Sequence, residues 1–222
     1  MREWRATRGQ APQPWYRRGA LRRSRPHLIS SVHVAAMSKK KKLLIVSCCA
    51  PCFGAMRLAP EIFEKWDAHV LFLNPNIYPE SEHHKRAEEH RKYCATLGLP
   101  FHEIPYDHAG WLGAIRGLED APERGARCAK CFAYRLKEAA RFAVLNRFDA
   151  MATVFGVSKF KDQKQVDAAA RVVCKIHDVE YINPFTPTFQ IRNRKKLDDA
   201  INAESEANGL YRQKYCGCEF SN

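Results

Sequence analysis

The stretch Lys42-Leu43-Leu44-Ile45-Val46-Ser47-Cys48-Cys49-Ala50-Pro51-Cys52 decides the fold. Leu43 to Ser47 is a short apolar run between the lysines Lys39 to Lys42 and a cysteine-rich turn, the pattern of a strand buried on both faces of a parallel sheet. Adjacent residues of a strand point to opposite faces, so Cys48 and Cys49 serve one centre only from an irregular turn after Ser47, which Pro51 favours.

Working outward, the spacing predicts a helix from about Phe53 to Trp66, interrupted or restarted at Pro60, then a strand over Ala68 to Leu73 that ends in the turn-rich Asn74-Pro75-Asn76-Ile77-Tyr78-Pro79. Ser81 is the expected N-cap of a helix running to about Leu97 and stopped by Gly98 and Pro100. A strand near Phe101 to Tyr106 and a short helix around Ala109 to Arg116 follow. Phe132, Leu136, Ala139, Ala140, Ala143 and Val144 share one face of a helix over about Lys130 to Asn146. Ala150 to Val154, Gln163 to Ile176, Val179 to Ile182 and Lys195 to Asn208 read as strand, helix, strand and helix. This alternation predicts an α/β fold with a doubly wound, mostly parallel, Rossmann-like sheet. Ligands of such sheets sit beyond the carboxyl ends of the strands, where CCAPC lies. A nucleotide site would place a glycine-rich or Ser-Gly-Gly loop there; this loop carries cysteines instead.

The formal net charge of +13 suggests a nucleic-acid footprint until it is divided along the chain. Residues 1–42 hold eight Arg and four Lys against the single acid Glu3, which leaves residues 43–222 with +2. Any RNA-binding patch on the body is therefore local. Residues 1–36 read as a basic, disordered extension, either upstream of a second start at Met37 or a targeting segment, and residues 37–222 as a single catalytic α/β domain. No apolar run spans a membrane and no secretory signal is visible, so a cytoplasmic protein without a membrane partner is expected.

Nine cysteines, in close pairs and without a secretory signal, point to metal or redox chemistry before structural disulfides. Cys128 and Cys131, three residues apart near a helix start, can converge on one ion or cluster with Cys48 and Cys49, and the spacing leaves zinc and iron-sulfur both open. The reading favours an iron-sulfur centre at the carboxyl end of the sheet. Cys216-Gly217-Cys218 either binds metal or closes a small, easily reduced disulfide ring. Cys52 shares the first loop, whereas Cys94 and Cys174 fall inside helices as packed residues. His83 and His84 are assigned to a solvated helix face beside Glu82, Lys85 and Arg86. Arg127, Arg135, Arg212 and Lys214 are candidate phosphate contacts, and Tyr78, Tyr211 and Tyr215 candidate stacking residues.

Taken in order, CCAPC, NPNIYP, RCAKCFAYRL and YRQKYCGCEFS resemble the QueH-type epoxyqueuosine reductases over roughly residues 42–222. The resemblance implies a scaffold like the adenine nucleotide alpha-hydrolase or PP-loop proteins. It also implies reductive removal of the epoxide oxygen of epoxyqueuosine at the tRNA wobble position, giving queuosine without cobalamin. Carried onto this chain, it makes Cys48, Cys49, Cys128 and Cys131 the ligands of a [4Fe-4S] cluster and Cys216 and Cys218 a redox-active pair. An additional iron is associated with the family, for which Cys52 and Asp107 are the candidates. The partners are then a queuosine-pathway tRNA, through its anticodon loop, and an external electron donor. The competing readings are a cluster-dependent tRNA sulfur transferase and a non-catalytic, zinc-stabilised RNA-binding module. The segment Val154 to Lys164 departs from the family pattern and leaves the substrate contacts there open.

Overall fold

The structure is a computed structural model that describes residues 39–184 and 194–221. The basic stretch 1–36 lies outside the described residues. Among these residues, five parallel strands, β1 (Lys42–Ser47), β2 (Asp67–Phe72), β3 (Phe101–Glu103), β4 (Ala150–Thr153) and β5 (Glu180–Tyr181), form one sheet in the order β3-β2-β1-β4-β5. β1 is central, with Ile45 beside Val70 on one side and Ala152 on the other. Leu43, Leu44, Ile45 and Val46 are fully buried. Each such aliphatic side chain contributes about 1.5–3 kcal/mol by leaving water, which fixes this strand at the middle of the sheet.

Among the described residues, seven helices connect and flank the strands: α1 (Ala50–Gly54), α2 (Pro60–Lys65), α3 (Glu80–Thr96), α4 (His108–Ile115), α5 (Ala126–Leu145), α6 (Gln163–Ile176) and α7 (Arg194–Asn208). The helix expected over Phe53 to Trp66 is three pieces. α1 begins earlier, directly behind Cys49, a tight 3-10 turn covers Ala55–Leu58, and α2 restarts at Pro60. Proline supplies the first-turn position of both helices, where a missing N–H costs nothing. α6 starts at its cap: the Asp162 carboxylate accepts from the backbone N–H groups of Lys164 and Gln165 at 2.7 and 3.1 Å.

The chain winds from β1 to β2 and β3 on one side, then crosses to β4 and β5 on the other. The two halves part between β1 and β4, and the crevice beyond their carboxyl ends is the topological switch point of a doubly wound sheet. The loop after β1, residues 48–49, and the loop after β4, residues 154–162, face that crevice.

α3 differs from its expected solvated face. His83, Arg86 and His90 are buried together with Ala87, Tyr93 and Cys94, at the spacing of one helix face. His84 and Lys85 are exposed, as expected.

Candidate metal and redox centre

Ser47 closes β1, and Cys49 is extended at the N-cap of α1, so the chain turns sharply at Cys48 and Cys49. The turn lets the two side chains meet, with Cys48 Sγ 3.9 Å from Cys49 Sγ. One turn of α1 later Cys52 joins them, and the three sulfurs lie within 4.8 Å of one another, all buried. Side-chain bonds from behind hold the loop. Asn74 Nδ2 donates to the Ser47 carbonyl at 3.0 Å, and the Arg135 guanidinium donates to Asn74 Oδ1 and, at 3.1 Å, to the Leu73 carbonyl.

Cys128 and Cys131 stand in the first two turns of α5, outside the group of three. Cys128 Sγ accepts from the Arg124 N–H at 3.2 Å, and Cys131 packs with Trp111 and Ile115, against which Cys218 also rests. The C-terminal segment is stitched across the loop after β2. Tyr78 N–H donates to the Gly217 carbonyl at 2.8 Å, Ile77 and Cys218 form an antiparallel bridge, and the Tyr215 hydroxyl donates to the Tyr78 carbonyl at 2.7 Å. Arg86 Nη1 donates to the Cys216 carbonyl at 3.2 Å, Arg127 Nη2 to the Phe220 carbonyl at 2.9 Å, and His108 Nε2 meets Glu219 at 2.9 Å. The fold thus gathers Cys128, Cys131, Cys216 and Cys218 in one neighbourhood, beside the Cys48 group.

Lys161 joins the two neighbourhoods and was missed in the sequence, where it lies in the segment Val154 to Lys164 that departs from the family pattern. It is buried, its Nζ lies 3.8 Å from Cys48 Sγ, and it acts electrostatically on Cys52 and Cys216 as well. Its ammonium is favoured: burial opposes the charge, and the sulfurs of Cys216, Cys48 and Cys52 outweigh that. The three sulfurs of the first loop are unequal. Contacts from Cys49 and Cys52, aided by Lys161 and Arg135, hold the Cys48 thiol well below its ordinary range. Burial pushes Cys49 up to about 12, and the contact with Cys48 pushes Cys52 well upward. The protein alone therefore favours one thiolate of the three, held mainly by the other two thiols; ionising those as well requires a strong positive charge, such as a metal.

The surroundings fit such a group. Arg86, Arg135 and Lys161 are all buried around these sulfurs, and among the described residues the only carboxylate ion-paired with any of them is Glu82, 2.7 Å from Arg86. A buried cation without an anion is strongly disfavoured. Thiolates bound to a metal would supply the missing negative charge.

Other candidates fall differently. Asp107 is exposed and caps α4, its Oδ1 accepting from Gly110 N–H at 2.9 Å. Cys94 and Cys174 pack in the core, as expected; burial raises both thiols, Cys174 to about 11. Arg127 and Arg135 are not surface phosphate contacts: both are buried and donate to carbonyl oxygens inside the protein. Arg212 and Lys214 are exposed, and Tyr78 is 48% exposed. No helix among the described residues is long and apolar enough to cross a membrane.

Comparisons with known proteins match this sequence to a family. The family model described as "Epoxyqueuosine reductase QueH" matches residues 43–222. Epoxyqueuosine reductase QueH of Histophilus somni is 36% identical over 181 residues, 81% of this chain and 72% of that protein. Its counterpart from Acinetobacter baylyi is 33% identical over 182 residues, covering 81% of this chain and 80% of the relative. Among solved structures, the U34-tRNA thiolase NcsA from Methanococcus maripaludis, with its [4Fe-4S] cluster, superposes with a TM-score of 0.51 at 15% identity. That match covers 83% of this chain but only 62% of the thiolase, less than two thirds of its length. A predicted subunit of a tRNA methyltransferase from Methanocaldococcus jannaschii superposes at 0.50, with 12% identity, over 73% of this chain and 76% of that one. At such identities these two likenesses establish the fold alone. The family match and the curated relatives go further: this chain belongs to the QueH family of epoxyqueuosine reductases.

Proposed function

We propose that this protein removes the epoxide oxygen of epoxyqueuosine at the wobble position of tRNA, giving queuosine. The observation that carries the reading is the buried sulfur triad of Cys48, Cys49 and Cys52, held at the switch point of a chain that belongs to this reductase family. In this reading Cys48, Cys49, Cys128 and Cys131 hold a [4Fe-4S] cluster, which when bound supplies single electrons. Cys52, with the Asp107 Oδ2 that the cap bond leaves free, is assigned to an additional iron.

The remaining roles belong to the chain itself. Cys216 and Cys218 form a dithiol that becomes a disulfide as the epoxide becomes an alkene. Two electrons leave the sulfurs, and the two thiol protons leave with the oxygen as water. An external electron donor then restores the dithiol, and cobalamin has no part. The backbone bonds from Gly217 and Cys218 to Tyr78 and Ile77 fix the pair beside Cys131. Arg86, Arg135 and Lys161 hold negative charge in place, and Trp111 and Phe220, with ring centroids 6.1 Å apart, form the apolar surroundings against which Cys218 packs. Arg212 and Lys214 serve the tRNA phosphates, and Tyr78 is the stacking surface for a base. The protein works in the cytoplasm.

The test is incubation of the anaerobic protein with a strong reductant and epoxyqueuosine-containing tRNA, followed by mass spectrometry of the nucleosides. Conversion to queuosine is expected; persistence of the epoxide with an intact cluster overturns the assignment. A gain of sulfur in the tRNA would identify the sulfur transferase instead. A colourless protein holding only zinc would identify the RNA-binding module.

A further inference from the structure

We propose that Lys161 is the positioning cation of this centre, its buried ammonium offsetting the negative charge of the metal-bound sulfurs and thereby setting both metal retention and the ease of reduction. The inference rests on the metal-site part of the reading above, but it concerns a residue to which neither the family match nor the cysteine motifs assign a role.

Three observations carry it. The first is position: Lys161 follows the turn after β4, on the far side of the switch-point crevice from Cys48, and its Nζ reaches across to 3.8 Å from that sulfur. Its backbone is fixed at both ends. Its own N–H donates to the Ser158 carbonyl at 3.1 Å, and the next residue, Asp162, caps α6. The ammonium is therefore aimed by the fold and does not reach the site as a flexible arm.

The second is burial without a carboxylate. Lys161 is 7% exposed, and among the described residues no Asp or Glu forms an ion pair with it. A lysine near a surface normally carries its charge into water on its long stem. Here the stem ends inside, against sulfur, an arrangement that favours folding only when an anionic group faces it.

The third is the distribution of the other cations. Arg135 is committed to Leu73 and Asn74, and Arg86 to Glu82 and the Cys216 carbonyl, so both guanidinium groups are held by oxygen partners. Lys161 is the cation of the three whose ammonium faces a sulfur. A positive charge so close stabilises whichever state of the centre is more negative. Reduction adds one electron and no compensating proton, so it is the reduced state that benefits.

The experiment compares the holoprotein with Lys161→Met, which keeps the stem and removes the charge, and Lys161→Arg, which keeps the charge. Each is purified anaerobically, and two quantities are measured: the rate of metal loss to a chelator, and the midpoint potential in a mediated reductive titration. In Lys161→Met, metal loss is expected to speed up at least tenfold. The equilibrium constant for one-electron reduction should fall about tenfold, which corresponds to a potential about 59 mV more negative. Lys161→Arg should stay near the parent in both. A residue that merely packs would change thermal stability and leave the potential where it was, so an unchanged potential and unchanged retention in Lys161→Met overturn the proposal. If the parent protein holds zinc and no iron, the reductase reading falls, while the retention comparison still decides the role of Lys161.

Discussion

The side-chain amide of Asn74 donates to the carbonyl of Ser47 across 3.0 Å, so the last residue of β1 is held by the loop that follows β2. Arg135 leans on the same amide from α5. Replacing Asn74 by Ala orphans a buried carbonyl and a buried guanidinium N–H at once, a cost of about 1–3 kcal/mol. The urea midpoint should drop accordingly, and bound metal should be lost more readily because the Cys48 turn is no longer fixed. An unchanged midpoint would show that this bond does not hold the loop.

Gly217 has φ +105°, and a Cβ there would come within 2.9 Å of both Arg86 Nη1 and Ile77 Cγ1. Gly217→Ala should strain the backbone by about 1–3 kcal/mol and lift the segment carrying Cys216 and Cys218. Faster protease cleavage within this segment, with a reductase activity roughly tenfold lower or worse, is expected while the unfolding midpoint of the sheet hardly moves. Parent-like cleavage and activity would show that the close approach is readily relieved.

The cysteines should separate by what each variant loses. Cys48→Ser, Cys49→Ser, Cys128→Ser and Cys131→Ser are each expected to abolish or deplete bound iron and sulfide together. Cys52→Ser should lower iron without lowering sulfide, since the proposed second iron carries none. Cys94→Ala and Cys174→Ala should keep both and lose only packing, about 1 kcal/mol each. Paired iron and sulfide analysis of the set decides it; equal loss of both in Cys52→Ser would make that residue a cluster ligand.

Burial depresses two histidines of α3, His83 to about 4 and His90 to about 3, from an ordinary value of 6.5. The unfolded chain takes up protons near pH 6.5 that the folded chain refuses, so their contribution to stability is complete above that pH and is lost steadily as the pH falls, toward about 4 for His83 and about 3 for His90. His90 sits among Phe53, Phe72 and Phe101, so His90→Phe should flatten the decline in urea midpoint between pH 7 and 5. A variant that loses stability over this range as steeply as the parent would rule out His90 as a source.

The elements that apolar spacing controls were legible. α6 falls at Gln163–Ile176 as the sequence predicts, and α5, α7, β2 and β4 shift by a few residues at most. α3 was legible as a helix and misread as a surface, because its inner face is built from His83, Arg86 and His90, which hydropathy assigns to water. These side chains are inside because the space beside them holds aromatic rings, the Glu82 carboxylate and the sulfurs of the Cys48 group. The same physics hid Lys161 and the inward commitment of Arg127 and Arg135: a buried cation is readable only once its partner is placed. The turn after Ser47 was legible from the adjacent cysteines and Pro51; the start of α1 at Ala50, which brings Cys52 to Cys48 and Cys49, was not, because the helix was expected only from about Phe53.

The tail is joined to the loop after β2 by the Tyr78–Gly217 and Ile77–Cys218 backbone contacts and by the Tyr215 hydroxyl, whose acceptor Tyr78 lies 137 positions away, and among the described residues it meets the sheet along no strand. An order of assembly follows. The sheet and the first sulfur group can form with the tail detached, leaving a route by which metal and sulfide reach Cys48 and Cys49. On the proposed reading, docking of Tyr215 to Phe220 would close that route and bring Cys216 and Cys218 to the centre together, so a protein purified with its tail open should be both easier to load with metal and unable to turn over.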